Sequence, residues 1–228
     1  MIKIIVAAYK IPPERRQMFF DENDAVFKQN DCKCYIVTDN DIDAPEWCKV
    51  CVYPVELKQF NLSAVCNYGI RQAGSGMIIK TDIDCIFTTE MFTHDLIVVD
   101  PGDFIFWWYW MIKKPERKHH ATVWPQGRGT VGMWFDDWCK ICGYNENMTG
   151  YGIEDGDVCR RAVTAGLFQF RGDAKLYHVQ HGRNGARSFW NRENNFNPAN
   201  HEFNQTQDGN WNNPEWGKPA FLSAGGAG

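Results

Sequence analysis

The chain has 228 residues, 44% of them hydrophobic and 14% aromatic, which is enough for one sizeable core and one domain. Its net charge of −4 at pH 7 leaves no basic footprint for a long nucleic-acid surface. No apolar run reaches the roughly 18 residues of a membrane helix, and FIFWWYWMI falls far short of it. In chain order, IKIIVAAY opens as a buried first strand with no secretory signal before it. With nine scattered cysteines, that start points to reduced thiols and a cytoplasmic protein. PPERRQMFFDENDAVFKQN follows as a helix, with prolines at its start and apolar residues near helical spacing. KCYIVTDN is a second strand and KVCVYPV a third. SAVCNYGIRQA is a helix that carries Gly69 as a flaw and stops at Gly74-Ser75-Gly76. MIIKTDIDCIF reads as the fourth strand. Strands alternating with helices in short units imply a largely parallel sheet, whose ligands meet the carboxyl ends of the strands.

That placement gives Asp82 and Asp84 their interest. In an extended segment they point the same way, and two close carboxylates repel unless a cation or hydrogen-bond donors compensate. A divalent metal is one answer, and a strand end running out into water is the other. The second half of the chain is aromatic and glycine-rich: FIFWWYW, then WPQGRGTVGMWFDDW, then YNENMTGYGIEDGDVCRRAVTAG. Asp155 and Asp157 stand at the start of a helix and arginines on a later turn, an order that also suits the helix dipole alone. LFQFRGDAKLYHVQHGRN reads as a strand or hairpin carrying His178 and His181. Beyond about residue 190 the chain turns asparagine-rich and ends in SAGGAG, an extension with a flexible tail.

Three blocks in this order, NLSAVCNYGIRQAGSGMIIKTDIDCIF, ICGYNENMTGYGIEDGDVCRRA and YHVQHGRN, resemble the nucleotide-sugar glycosyltransferases of GT-A fold. The resemblance covers about residues 2–190 and points to the large bacterial inverting family and the C-terminal half of β4-galactosyltransferases. It implies an α/β, Rossmann-like fold in a single domain, with a mostly parallel central sheet and helices on both faces. Residues 1–100 would be the nucleotide-sugar half, 101–190 the acceptor half and 191–228 an extension. The family's N-x-G-I helix falls on Asn67, Gly69 and Ile70, and its G-x-x-E-D block on Gly152, Glu154 and Asp155. A downstream histidine pattern falls on His178 and His181. Two departures stand out: AAYK replaces a proline-containing turn after the first strand, and Ile153 stands where galactosyltransferases carry a second glycine.

The resemblance implies a metal site of Asp84 and His181, with His178, holding Mn²⁺ or Mg²⁺ against the leaving diphosphate. Asp82 would hydrogen-bond the ribose or ligate through water, and Asp155 would take the proton from the acceptor hydroxyl. Asn67, Gly152 and Glu154 join the substrate-binding set. Asp39, ending YIVTDND, would meet the base or ribose, with a solvated loop acid as its alternative reading. Among the tryptophans, Trp134 is the expected sugar platform, because it follows GRGTVGM where an acceptor would enter; core filling is the alternative for all of them. The expected activity is metal-dependent, inverting transfer from a UDP-sugar to a saccharide or other hydroxyl acceptor. Two other readings stay open. One is the same chemistry on a nucleic-acid base, as in phage DNA glycosyltransferases, favoured mildly by Arg183, Arg187 and Arg192. The other is a sugar- or nucleotide-binding module without catalysis.

Overall fold

Apolar alternation sets the two faces of the sheet from its first strand. In β1 (Ile2–Ala7), Ile4 and Val6 face one layer of the core while Ile5 and Ala7 face the other. The structure is a computed structural model and describes residues 1–57, 61–125, 129–149, 153–180 and 212–219. The chain continues through α1 (Pro13–Gln29), β2 (Cys32–Thr38), β3 (Cys48–Val52), α2 (Leu62–Ala73) and β4 (Met77–Thr81). After β5 (Cys85–Ile86) come β6 (Asp103–Ile112), β7 (Thr122–Trp124), β8 (Val131–Trp134), α3 (Phe135–Lys140), α4 (Glu154–Thr164) and β9 (Phe168–Val179).

The sheet order is β3-β2-β1-β4-β8-β6-β9-β5, with β7 on β6. The pairings β3-β2, β2-β1 and β1-β4 are all parallel; β8 then runs antiparallel between β4 and β6, and β9 lies parallel to β6. Phe19, Phe20 and Phe27 of α1 cover one face with Trp47 and Phe87. Val65 and Ile70 of α2, Trp138 of α3 and Val158 and Ala162 of α4 cover the other. This is the expected α/β layering with helices on both faces. No helix among the described residues is long and apolar enough to cross a membrane.

Two expectations change. The fourth strand does not run through the D-x-D: β4 stops at Thr81, the Cys85 N–H donates to the Asp82 carbonyl at 3.1 Å, and the chain resumes as β5, antiparallel to β9. Asp82, Ile83 and Asp84 therefore form a turn, where the alternation rule for extended chain no longer applies. Residues 212–219, expected as part of an extension, pack onto the core. Trp216 is buried beneath the Arg71 guanidinium, which donates to the carbonyls of Trp216 and Pro214 at 2.9 and 2.8 Å.

Gly69, a flaw by helix propensity, is explained by the packing of α2. A Cβ there would lie 2.6 Å from Ile5 Cγ2 and 2.8 Å from Val37 Cγ2, so only glycine lets the helix sit this close to β1 and β2. Gly69→Ala is therefore expected to lower thermal stability. An overpacking penalty of about 1–3 kcal/mol outweighs the helix-propensity gain of about 1 kcal/mol. A rise in melting temperature would show that the helix shifts without cost.

Candidate active site

The carboxyl ends of β1, β2, β3 and β4 share one edge of the sheet. The last residues of β6 and β9 reach the same edge, as does the start of antiparallel β8. At its centre is Lys80 of β4, fully buried. A buried ammonium must find acceptors, and this one has three: Asp82 Oδ1 at 3.0 Å, Asp155 Oδ1 at 3.2 Å and the Gly129 carbonyl at 2.9 Å. Burial works against the charge on Lys80, but Asp155 and Asp82 outweigh it and push its pKa up, so it stays an ammonium.

Each carboxylate has a second partner. The Tyr109 hydroxyl donates to Asp82 Oδ2 at 2.8 Å, and the His178 ring packs against Tyr109 at a tilt of 32°, with 4.7 Å between centroids. For Asp82, burial works to raise the pKa, yet the charges of Lys80 and His178 and the bonds from Tyr109 and Lys80 prevail and leave it lowered. The Tyr144 hydroxyl donates to Asp155 Oδ1 at 3.1 Å. There burial prevails over Lys80 and Tyr144, and the Asp155 carboxyl is pushed above its ordinary value. Gly129 lets its loop close on this cluster: a Cβ would meet the Tyr109 hydroxyl at 2.2 Å and Asp82 Oδ2 at 2.6 Å.

Asp84 is buried on the other side of the turn and faces a different cation. Arg15, in the first turns of α1, spans both its oxygens, with Nε 2.9 Å from Oδ1 and Nη2 on Oδ2. His178 is in register with Cys85, the residue after Asp84. Among the described residues no three His, Cys, Asp or Glu side chains form a ready cluster for a metal ion.

Residues 115–182 match a family model described as the N-terminal domain of galactosyltransferase. The catalytic domain of Drosophila β1,4-galactosyltransferase 7, in complex with xylobiose, superposes with a TM-score of 0.57 at 15% identity, covering 82% of this chain and 73% of that one. The chain has the GT-A glycosyltransferase fold. A mannosyltransferase from Pyrobaculum calidifontis with GDP-Man and Mn²⁺ gives a TM-score of 0.58 at 11% identity, over 80% of this chain and 58% of that one. Staphylococcus aureus TarS with UDP-GlcNAc gives 0.59 at 11% identity, over 79% and 59%. No curated protein sequence matches the chain.

Within the GT-A frame, Asp82, Asp84, Glu154, Asp155 and His178 all reach the one edge, with Glu154 buried at the start of α4. His181 and Gly152 lie outside the described residues, as do Arg183, Arg187 and Arg192. Asp39 accepts from the Lys10 N–H at 2.9 Å and so holds a residue at φ +55° just beyond β1. Two of the expected residues stand apart from the cluster. Asn67 is fully buried and has no face to offer a substrate. Its amide donates to the Tyr144 carbonyl at 2.8 Å and to Glu146 Oε1 at 2.7 Å, and its oxygen accepts from the Tyr144 N–H at 2.7 Å. Trp134 stands at the opposite edge: β8 is antiparallel to β4, so Trp134 pairs with Met77 at the start of β4, and its indole donates to the Val99 carbonyl at 3.1 Å.

The sequence reading missed Lys80, Tyr109, Tyr144 and Arg15. For Lys80 a signal existed, since a lone cation inside MIIKT needs a buried anion. Arg15 and the two tyrosines carry no local signal, because their partners are remote in sequence.

Ile153 precedes α4 at φ +72°, ψ −8°, the left-handed conformation that a β-branched residue adopts only under strain. This is the position where galactosyltransferases carry glycine. Ile153→Gly should relieve about 1–2 kcal/mol of strain against roughly 0.5–1 kcal/mol of added chain entropy. The expected result is a small rise in unfolding temperature, and a fall would mean that the isoleucine side chain contributes more by packing than it costs in strain.

Proposed function

We propose that the chain transfers a sugar, with inversion, from a nucleoside diphosphate-sugar to an acceptor hydroxyl, with UDP as the first nucleotide to try. The observation that carries this reading is the pair of carboxylate positions on two different elements, Asp82 after β4 and Asp155 at the start of α4, joined across one buried cation. Such a division suits a donor side and an acceptor side. Asp155 takes the acceptor's proton as the acceptor oxygen bonds to the anomeric carbon. The bond from that carbon to the phosphate oxygen breaks, and its electron pair leaves with the diphosphate. A raised carboxylate pKa favours this role, because a base closer to the working pH takes a proton more readily. A single displacement of this kind inverts the anomeric centre. Asp82 binds the donor ribose, oriented by Tyr109 and Lys80, and Glu154 contacts sugar hydroxyls.

The donor types beside the D-x-D turn suit a divalent ion, which would have to displace Arg15 from Asp84 to bind there. Asp84 is a buried carboxylate that already faces a cation with both oxygens, and an imidazole stands in register beside its turn. Carboxylate and imidazole donors suit Mn²⁺, or Mg²⁺ with more water. Asp84 and His178 would hold it, together with His181. When bound, the ion supplies positive charge to the departing diphosphate. Neighbours in fold support the choice: a variant of the Drosophila enzyme is complexed with manganese, UDP-Gal and xylobiose. We propose a reducing, cytoplasmic setting from the nine scattered cysteines of the sequence.

Thermal shift tests the metal and the nucleotide together. UDP at about 100-fold excess over its Kd should stabilise the protein by about 2.7 kcal/mol, and do so only with Mn²⁺. Asp84→Asn should keep the fold and lose the metal dependence; an unchanged Mn²⁺ dependence would remove Asp84 from the site. Kinetics then separate the two acids of α4. Asp155→Asn is expected to lower turnover by about 10²- to 10⁴-fold with nucleotide binding retained, whereas Glu154→Gln mainly weakens substrate binding. The opposite pattern would reverse the two roles, and an α-linked product from an α-linked donor would exclude inversion.

A further inference from the structure

The two oxygens of Asp155 are not equivalent. Lys80 Nζ and the Tyr144 hydroxyl both fall on Oδ1, at 3.2 and 3.1 Å, and among the described residues none donates to Oδ2. The carboxyl is about a quarter exposed, so one oxygen is tied inward and the other is left toward the open edge. The geometry points to Lys80 and Tyr144 as positioning residues that anchor Oδ1 and thereby make Oδ2 the atom that takes the acceptor's proton. This inference rests on the proposed role of Asp155 as base.

Both anchors are themselves held. Lys80 lies in a central strand, and its three acceptors leave the ammonium no other direction to turn. Tyr144 sits in a loop clamped from two helices. Asn67 on α2 binds both its N–H and its carbonyl, and Arg161 on α4 donates to the Gly143 carbonyl at 2.8 Å. The Tyr144 ring also faces Lys80, with the ammonium 5.6 Å from the ring centroid. A base carried near the first turn of a helix gains little rigidity from its own backbone. Two charged or polar contacts on a single oxygen fix the carboxyl plane, and misplacement of a reacting group by about 1 Å can cost 10²-fold in rate.

The charged and titratable groups facing Asp155 are Lys80 from β4, Asp82 from the turn after it, Cys66 from α2, Tyr109 from β6, Tyr144 from the loop and Glu154 beside it. Lys80 is the cation among them, so its removal leaves Asp155 with neutral and negative neighbours and must raise its pKa. A lost Tyr144 hydroxyl acts in the same direction and less strongly.

The test compares Lys80→Met and Tyr144→Phe with the parent. With any donor that the parent turns over, Tyr144→Phe should bind UDP with the parental donor KM while kcat at neutral pH falls about 10- to 100-fold; Lys80→Met should lose kcat at least as far and, because it also releases Asp82, raise the donor KM. The acid limb of the kcat profile should move to higher pH, further in Lys80→Met. Parental kcat with an unmoved limb in both variants overturns the inference. Tyr144→Phe removes only a hydroxyl, so it carries the test if Lys80→Met does not fold. If the parent turns over no nucleotide-sugar, the proposed function fails, and the anchoring claim is still decided without substrate. Carboxyl NMR of ¹³C-aspartate protein, with Asp155→Asn as assignment control, should show the Asp155 titration raised in both variants. An unmoved titration overturns the anchoring.

Discussion

One buried ammonium organises this site. Lys80 is placed by the hydrogen bonds of β4 between β1 and β8, where water cannot reach its charge. Removing such a charge from water costs several kcal/mol, and only close anions offset it. Asp82 and Asp155 are drawn to it from different elements. The turn after β4 and the start of α4 must therefore meet above the same strand. Breaking the cluster on either side would leave a buried charge without its partner, which is why the arrangement is held on all sides.

The supporting layers follow from that demand. α2 lies against β1 and β2 at a distance that Gly69 alone permits, and this close seat carries Asn67 to the loop that bears Tyr144. Asn61, at the start of the same helix, donates to the Glu146 carbonyl at 2.8 Å, a second tie to that loop. From the other side Arg161 pairs with Asp157 at 2.7 Å and with loop carbonyls, so the helix that carries the proposed base also grips the loop that orients it. Trp216 and Gly217 close the cluster from the far end of the chain, the Gly217 N–H donating to Glu146 Oε1 at 2.6 Å. Residues conspicuous in the sequence for their polarity are here mostly ties between elements.

What the sequence made legible has a physical pattern. The strand and helix periods and the placement of acids at the carboxyl edge were readable, because they depend on local spacing and on a parallel sheet. The D-x-D turn was not. A run as apolar as MIIKTDIDCIF has the composition of one continuous strand, and only the i to i+3 bond from Cys85 to Asp82 shows the break. The place of Trp134 depends on a strand direction that spacing does not give: antiparallel β8 carries its first residues to the site and its last to the opposite edge. Asn67 sits correctly in its motif, but whether an amide faces a ligand or a loop depends on contacts 77 residues away. Such long-range partners leave no trace in local spacing.

The D-x-D also divides its charges in a way that bears on the donor. Asp82 belongs to Lys80 and Asp84 to Arg15, so each aspartate has a cation of its own within the protein. Asp155 shares Lys80 with Asp82, and buried Glu154 stands beside it, so the carboxylates at this edge outnumber Lys80 and Arg15. A diphosphate brought to this edge adds negative charge to a site already negative, in a low-dielectric setting where repulsion is poorly screened. The protein's own groups thus orient a donor but do not attract one. A divalent cation would offset that charge, which is a physical reason for the metal in the proposed function. Arg15 is the adjustable member: its side chain is about a quarter exposed, on a helix that meets the edge from outside, while Lys80 has no freedom at all. Releasing Asp84 to a metal would free the guanidinium beside the phosphates, where its planar fork suits their oxygens. On the proposed function, the fixed lysine would hold the base and the more exposed arginine would accommodate the leaving group.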